Sequence, residues 1–157
     1  MPTINVETRI AASPEICFDL ARNIDFHVRS LEHTGERAVA GVTSGLIGLG
    51  ESVTWEARHL GVRQRLTSQI TAFDPPRYFQ DTMTRGAFKH FAHDHYFEPD
   101  QDETVMRDVI SFGSPAGPLG WLFDRAYLAN YLRKLIADRG QVIRSEAERL
   151  TSPLRVS

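Results

Sequence analysis

The sequence predicts one α+β domain in which a curved antiparallel sheet wraps around a long C-terminal helix. Three observations carry this. From Glu36 to Phe112 apolar residues recur with a period of two, broken at short intervals by turn residues. From Trp121 to Arg149 the apolar period becomes helical. Upstream of both lie one strand and two helices too short to hold without a sheet beneath them. The chain's 157 residues suit one domain with one core, here residues 1–150, with 151–157 as a tail.

Taken in order, Thr3 to Ile10 alternates and is rich in β-branched residues, which favours a strand. Ser13 is placed as an N-cap, with Pro14 at the first helical position and Ile16, Leu20 and Ile24 along one face. A second short helix is expected over Asp25 to Leu31. Six strands follow: Arg37–Ala40, Ser52–Leu60, Arg63–Phe73, Tyr78–Met83, Phe88–Phe97 and Thr104–Phe112. Leu60-Gly61, Asp74-Pro75-Pro76, Arg85-Gly86 and Pro99 to Asp102 supply the turns, and connections this short imply an antiparallel meander. Pro115 to Gly120 is expected to be a hinge. In the helix beyond it, the half carrying Leu122, Phe123, Ala126, Tyr127 and Tyr131, with Leu128, Leu132, Leu135 and Ile136 widening the stripe, is expected to be deeply packed. The charged half from Asp138 is expected to be solvated, with Gly140 as a point of bending. A bent sheet gripping one helix leaves a wedge of space between them, where a ligand would sit.

Composition narrows the function. Hydrophobic residues are 41% and charged residues 24%, and the formal charge is -2, which leaves no electrostatic footprint for nucleic acid. No apolar run approaches the length of a membrane span. The lone Cys17 has no disulfide or metal partner of its own kind and is expected to be a small buried residue. Residues 1–6 lack the basic and apolar stretches of a signal peptide, so a reducing cytoplasm is the expected location.

The densest functional signal lies between Met83 and Phe112. A three-residue hairpin loop, Thr84-Arg85-Gly86 with Gly86 left-handed, would set Met83 opposite Ala87, Asp81 opposite Lys89 and Phe79 opposite Phe91. A turn over Asp100 to Glu103 would set Phe97 opposite Met106 and His95 opposite Asp108. One face then carries Phe79, Asp81, Lys89, Phe91, His93, His95, Phe97, Met106, Asp108, Ile110 and Phe112. Its aromatic and aliphatic members mark it as the covered face, so its charged members need partners, expected as Asp81–Lys89 and His95–Asp108. Such a patch can orient a ligand, act as an acid–base pair, or simply brace the sheet. His93 and His95, with Asp108, have the spacing of a two-histidine, one-carboxylate metal set. Apolar surroundings favour neutral imidazoles, so neither a metal nor another cofactor is expected. His59 is placed inward beside Trp55 and Ala57.

Gly45, Gly48 and Gly50 lack the Lys-Ser/Thr of a phosphate loop and lead into a strand, so they are read either as an apolar flap at the cavity mouth, more mobile than the strands, or as a glycine-rich turn packing on its neighbours. Trp55 and Trp121 are expected in the core or cavity wall, and Tyr127, Asn130 and Tyr131 on the cavity side of the helix. No nucleophile elbow or dinucleotide fingerprint is present.

Several stretches carry a family resemblance: Ala12-Ser13-Pro14-Glu15 opening the first helix, Gly45 to Trp55, Phe91-Ala92-His93-Asp94-His95-Tyr96-Phe97, and Pro115 to Gly120. Together with the element order they resemble the START-like or SRPBCC superfamily over roughly residues 3 to 148. That superfamily includes the major birch-pollen allergen and polyketide cyclase/dehydrase-like proteins. The resemblance implies a helix-grip fold with a ligand cavity and leaves the chemistry open. The leading expectation is a carrier or sensor of a small hydrophobic or amphipathic molecule, held by Trp55, Phe79, Asp81, Phe91, His93, His95, Phe97, Asp108, Phe112, Tyr127 and Tyr131. The second is a cyclase/dehydrase-like enzyme using His95 and Asp108. The third is a protein-interaction module whose cavity is filled by Phe91, Phe97, Phe112 and Trp121.

Overall fold

The computed structural model describes residues 2–152. The elements are β1 (Thr3–Ile10), α1 (Pro14–Ala21), α2 (Ile24–Ser30), a short 3-10 turn (Glu32–Thr34), β2 (Arg37–Gly41), β3 (Ser52–His59), β4 (Val62–Asp74), β5 (Tyr78–Arg85), β6 (His90–Asp100), β7 (Glu103–Gly113), α3 (Gly117–Phe123), a π-helical turn (Asp124–Leu128) and α4 (Ala129–Thr151). Of the expected tail, Thr151 closes α4, and 153–157 lie outside the described residues. The strands form one antiparallel sheet in the order β1-β7-β6-β5-β4-β3-β2, the expected meander closed by β1. Local chemistry explains the starts and turns. Ser13 caps α1 by accepting the Ile16 amide, and Asn23 caps α2 by accepting the Phe26 amide at 2.9 Å. Leu60 and Gly61 are both left-handed in the two-residue turn joining β3 and β4, the backbone that suits a hairpin's twist.

The core has two parts. Phe18 on α1 meets Phe73, Phe79 and Phe97 edge-on, each at 5.4 Å between centroids, and this cluster extends to Ile143 and Ala147 on α4. A second cluster joins Ile4, Ile110 and Phe112 of the sheet to Leu128, Leu132 and Ile136. Cys17 is fully buried, and burial pushes its thiol up to about 11, so it is inert packing.

The β5–β6 register corrects the hairpin reading. Phe79 pairs with His95, Asp81 with His93 and Thr82 with Ala92, and pairing ends there. Gly86 is not left-handed and the connection is wider than three residues. The slip from the expected register is four residues. An even slip preserves side-chain parity, so within the paired strands the same residues still face inward while their partners change. Lys89 lies beyond the pairing and is exposed, so it is no partner for Asp81. The β6–β7 register is as read, with His95 opposite Asp108 and Phe97 opposite Met106.

The long helix matches expectation at Leu128, Leu132, Leu135 and Ile136, which are buried, but differs at both ends. Trp121, Leu122, Phe123 and Tyr127 are exposed, whereas Arg139, Gly140, Ile143 and Ala147 are buried. The reason is placement: α3 packs against the π turn that follows it, and only α4 lies on β1, α1 and α2. Of the expected hinge, Pro115 and Ala116 form a bend and Gly117 to Gly120 the first turn of α3, with Pro118 near its start. It is fixed by buried Asp124, which accepts from both the Ser114 amide and hydroxyl. Gly140 does not interrupt α4. A Cβ there would stand 2.6 Å from Thr8 Oγ1, so glycine lets the helix settle on β1.

Candidate functional site: a cavity with two polar ends

Between the two core clusters lies a cavity of about 200 Å³, walled by the sheet, α1, α2 and α4. Its apolar wall includes Ile24, Val53, Ile70, Ile110, Leu132 and Leu135. A filled cavity, as the interaction-module reading requires, is therefore not what the fold contains. Trp55, Phe79, Asp81, Phe91, His93, His95 and Tyr131 line it. Phe97 and Phe112 do not; both are fully buried in the core clusters. Tyr127 is on the outer surface, where its ring stacks on Phe123 at 5.8 Å. Trp121 is likewise exposed and is neither core nor cavity wall.

The loop from Gly45 to Gly50 reaches the cavity through Ile47, which is buried, while Leu46 and Leu49 face outward. It is not loosely held. The Gly45 carbonyl accepts the Ile24 amide at 2.8 Å, the Ile47 amide donates to Arg22 O, and the Gly50 amide donates to Ile70 O at 2.9 Å. Arg22 Nη1 adds a bond to the Ile47 carbonyl at 3.1 Å. These bonds tie the loop to α1, α2 and β4, which favours the packed glycine-rich turn over the free flap.

On the sheet side, β5, β6 and β7 bring Asp81, His93, His95 and Asp108 into one network. His93 Nε2 donates to Asp108 Oδ1 at 2.8 Å, and His95 Nε2 donates to Asp81 Oδ2 at 2.9 Å. Ser68 Oγ donates to the other Asp81 oxygen at 3.2 Å. His95 Nδ1 is 3.1 Å from Asp108 Oδ1, but the alignment is too poor for a hydrogen bond, so that contact is only electrostatic. The expected His95–Asp108 pair is therefore present as a 3.1 Å ionic contact, while the hydrogen bonds run from His93 to Asp108 and from His95 to Asp81. The rings stack in a column: His93 on His95 at 3.7 Å, and His95 on Phe79 at 4.1 Å.

This network shifts two adjacent imidazoles in opposite directions. Burial and the neighbouring His95 hold His93 below its ordinary value, against the pull of Asp108. Burial works against charge on His95 too, but Asp108 and Asp81 outweigh it and raise its value. Both carboxylates are held below the ordinary range: burial opposes this, and the histidines overcome it. An ionised Asp108 only accepts, so neutral His93 carries its proton on Nε2 and its lone pair on Nδ1. Asp81, His93 and His95 can each offer a ligand atom within 4.8 Å of the others, a compact two-histidine, one-carboxylate set in which Asp81, not Asp108, is the carboxylate.

A second polar group, on the helix side, was not anticipated. Glu36 is buried and its carboxylate accepts from His27 Nε2 at 2.6 Å; the His27 ring stacks on Trp55 at 4.1 Å. Burial would raise Glu36, but His27 above all, with His59 and Arg139, lowers it. His59 does face inward, and its Nδ1 meets Tyr131 Oη at 2.7 Å; burial lowers its value. Arg139 on α4 reaches the cavity and donates from Nη2 to the Ala21 carbonyl at 2.8 Å. One signal was available: Leu132, Ile136, Arg139, Ile143 and Ala147 follow helical spacing, which puts Arg139 inside an apolar stripe.

Comparison with known proteins places this geometry. No curated protein matches the chain. Among solved structures, TTHA0849 from Thermus thermophilus superposes with a TM-score of 0.78 at 17% identity, covering 96% of this chain and 100% of that one. The Zhui aromatase/cyclase from a Streptomyces species gives 0.77 at 15% identity, covering 98% of each chain. A START superfamily protein from Mycobacterium smegmatis gives 0.71 at 10% identity, covering 94% of this chain and 98% of that one. At these identities the likeness establishes the helix-grip fold alone. Among the described residues no helix is long and apolar enough to cross a membrane. The family model described as polyketide cyclase / dehydrase and lipid transport matches residues 1–148, and the chain belongs to that family.

Proposed function

We propose that this chain binds a small hydrophobic or amphipathic molecule in the cavity between the sheet and α4. The observation that carries this reading is the cavity itself: apolar walls drawn from both core clusters, with buried polar groups entering from opposite elements. Membership of a family described by cyclase, dehydrase and lipid-transport activities supports it. Trp55, Phe79, Asp81, Phe91, His93, His95 and Tyr131 are the proposed contacts. Asp108 acts one layer behind, by holding His93. Ala57 is buried on the cavity wall, so Ala57→Phe would fill part of the space. An apolar fluorescent dye should bind the native chain and bind Ala57→Phe at least tenfold more weakly, about 1.4 kcal/mol. Equal binding by both would place the dye elsewhere and reject the cavity as the site.

A second reading rests on one observation, the neutral His93 whose Nε2–H is held by Asp108. Its Nδ1 lone pair can take a proton from the carbon between two carbonyls, leaving an enolate and a His93 imidazolium beside Asp108. A β-dicarbonyl probe in deuterated water tests it. Protein-dependent deuterium uptake, lost in His93→Gln while probe binding is kept, would make the cavity a reaction site. Uptake no faster than in buffer would leave it a binding site.

A further inference from the structure

Arg139 presents a buried charge that makes no direct ion pair among the described residues. Its relative exposure is only 3%. Its Nη2 is satisfied by the Ala21 carbonyl, a neutral acceptor. Its Nε is buried and has no partner, and no carboxylate of the described residues forms an ion pair with it. Glu36 is near enough to be lowered by Arg139, yet its hydrogen bond goes to His27. A guanidinium stays protonated at any working pH, so it cannot shed the charge as a buried lysine would. Buried charges in folded proteins are paired, and here the missing partner faces a cavity.

Resting on the reading that the cavity binds a small molecule, we propose that its ligand bears a carboxylate, which accepts from the Arg139 guanidinium where it lines the cavity. The rest of the cavity supports this polarity. On the sheet side, the carboxylates of Asp81 and Asp108 already hold the His93 and His95 imidazoles, so no unpaired cation stands there for an acid group among the described residues. The acid group therefore belongs at the helix side, near Arg139 and the His27–Glu36 pair. The apolar body of the ligand lies along Ile70 and Leu132. Any hydroxyl it carries faces the Asp81 end, where acceptors are in excess.

The test uses Trp55, which lines the cavity, as the reporter, in a Trp121→Phe background that removes the chain's other tryptophan. Straight-chain and aryl carboxylic acids are titrated at pH 7, each beside the primary alcohol of the same skeleton, with an apolar dye as a control for the cavity. The expected result is that binding acids exceed their alcohols by about tenfold or more, the weight of one charge-assisted hydrogen bond. That preference should fall to near parity in Arg139→Met and partly return in Arg139→Lys. Should Arg139→Met fail to fold, Arg139→Gln keeps a donor for the Ala21 carbonyl, and the acid–alcohol ratio of the native chain decides the matter without any variant. Acids and alcohols binding equally would overturn the carboxylate proposal while leaving the cavity a binding site. So would an acid preference unchanged by Arg139→Gln, or dye binding with no acid bound. Failure of the dye itself would instead overturn the reading of the cavity.

Discussion

The network beneath the cavity invites a quantitative test at Asp108. Asp108→Ala removes the acceptor of the His93 Nε2–H and one of the two anions beside His95. The site is fully enclosed, with Asp108 at 2% exposure, so water does not replace the lost partner. Stranding a buried donor costs about 1–3 kcal/mol, and breaking a buried ion pair about 3–5 kcal/mol. The second figure does not apply in full, because Asp81 remains hydrogen-bonded to His95 as its counter-ion. A loss of about 2–4 kcal/mol is expected. Asp108→Asn keeps an oxygen for His93 and loses only charge, so it should cost less. Urea unfolding of Asp108→Ala, His93→Ala and the double variant measures the coupling. The double variant should lose at least about 1 kcal/mol less than the sum of the single losses. Effects that add within about 0.5 kcal/mol would mean that His93 and Asp108 are energetically separate, and the assignment of tautomer and charge would fall with them.

Three further outcomes follow from the same structure. Stability should peak near neutral pH. The lowered values of His93 and His59 mean that unfolding takes up protons as pH falls below about 6.5, so stability drops on the acid side, whereas the raised value of His95 gives stability present below that pH and lost as pH rises through its folded value. Below about 3.8 the stabilisation from lowered Asp81 and Asp108 is lost as well; a melting series in which His93→Gln leaves the acid limb unchanged would contradict the assignment. Gly140→Ala should destabilise by about 1 kcal/mol, the clash with Thr8 of about 1–3 kcal/mol outweighing a helix-propensity gain of about 1 kcal/mol, and Thr8→Ala should relieve it. Amides of Ile24, Ile47 and Gly50 should resist hydrogen exchange, and full exchange within seconds would show that the Gly45–Gly50 loop is free after all.

What the sequence revealed divides along physical lines. Period-two alternation and turn residues placed all seven strands, because parity and backbone chemistry are local properties. Parity also put Phe91, His93 and His95 on the covered face despite a four-residue error in hairpin register. Register itself was not legible at Thr84-Arg85-Gly86, since a wider loop fits the same residues. Partner identity depends on register and went with it at that hairpin: Asp81 was given to Lys89, whereas His95 and Asp108, paired across the correctly read β6–β7 register, do meet. On the last helix, apolar content misled. Leu122, Phe123 and Tyr127 have core composition but lie on α3 and the π turn, away from the strands, while Arg139 and Gly140 are buried because α4 lies directly on β1. Glu36 and His27 were invisible because their pairing joins a helix to a strand edge, a long-range contact with no local pattern.

The central claim is that the cavity is occupied in use. Native mass spectrometry of the chain purified from its own source tests this most directly. The expected spectrum shows a fraction of the protein carrying one additional small organic mass, released on activation or denaturation and displaced by Ala57→Phe. A spectrum of the bare chain alone, together with failure of apolar probes to bind it in solution, would contradict the claim.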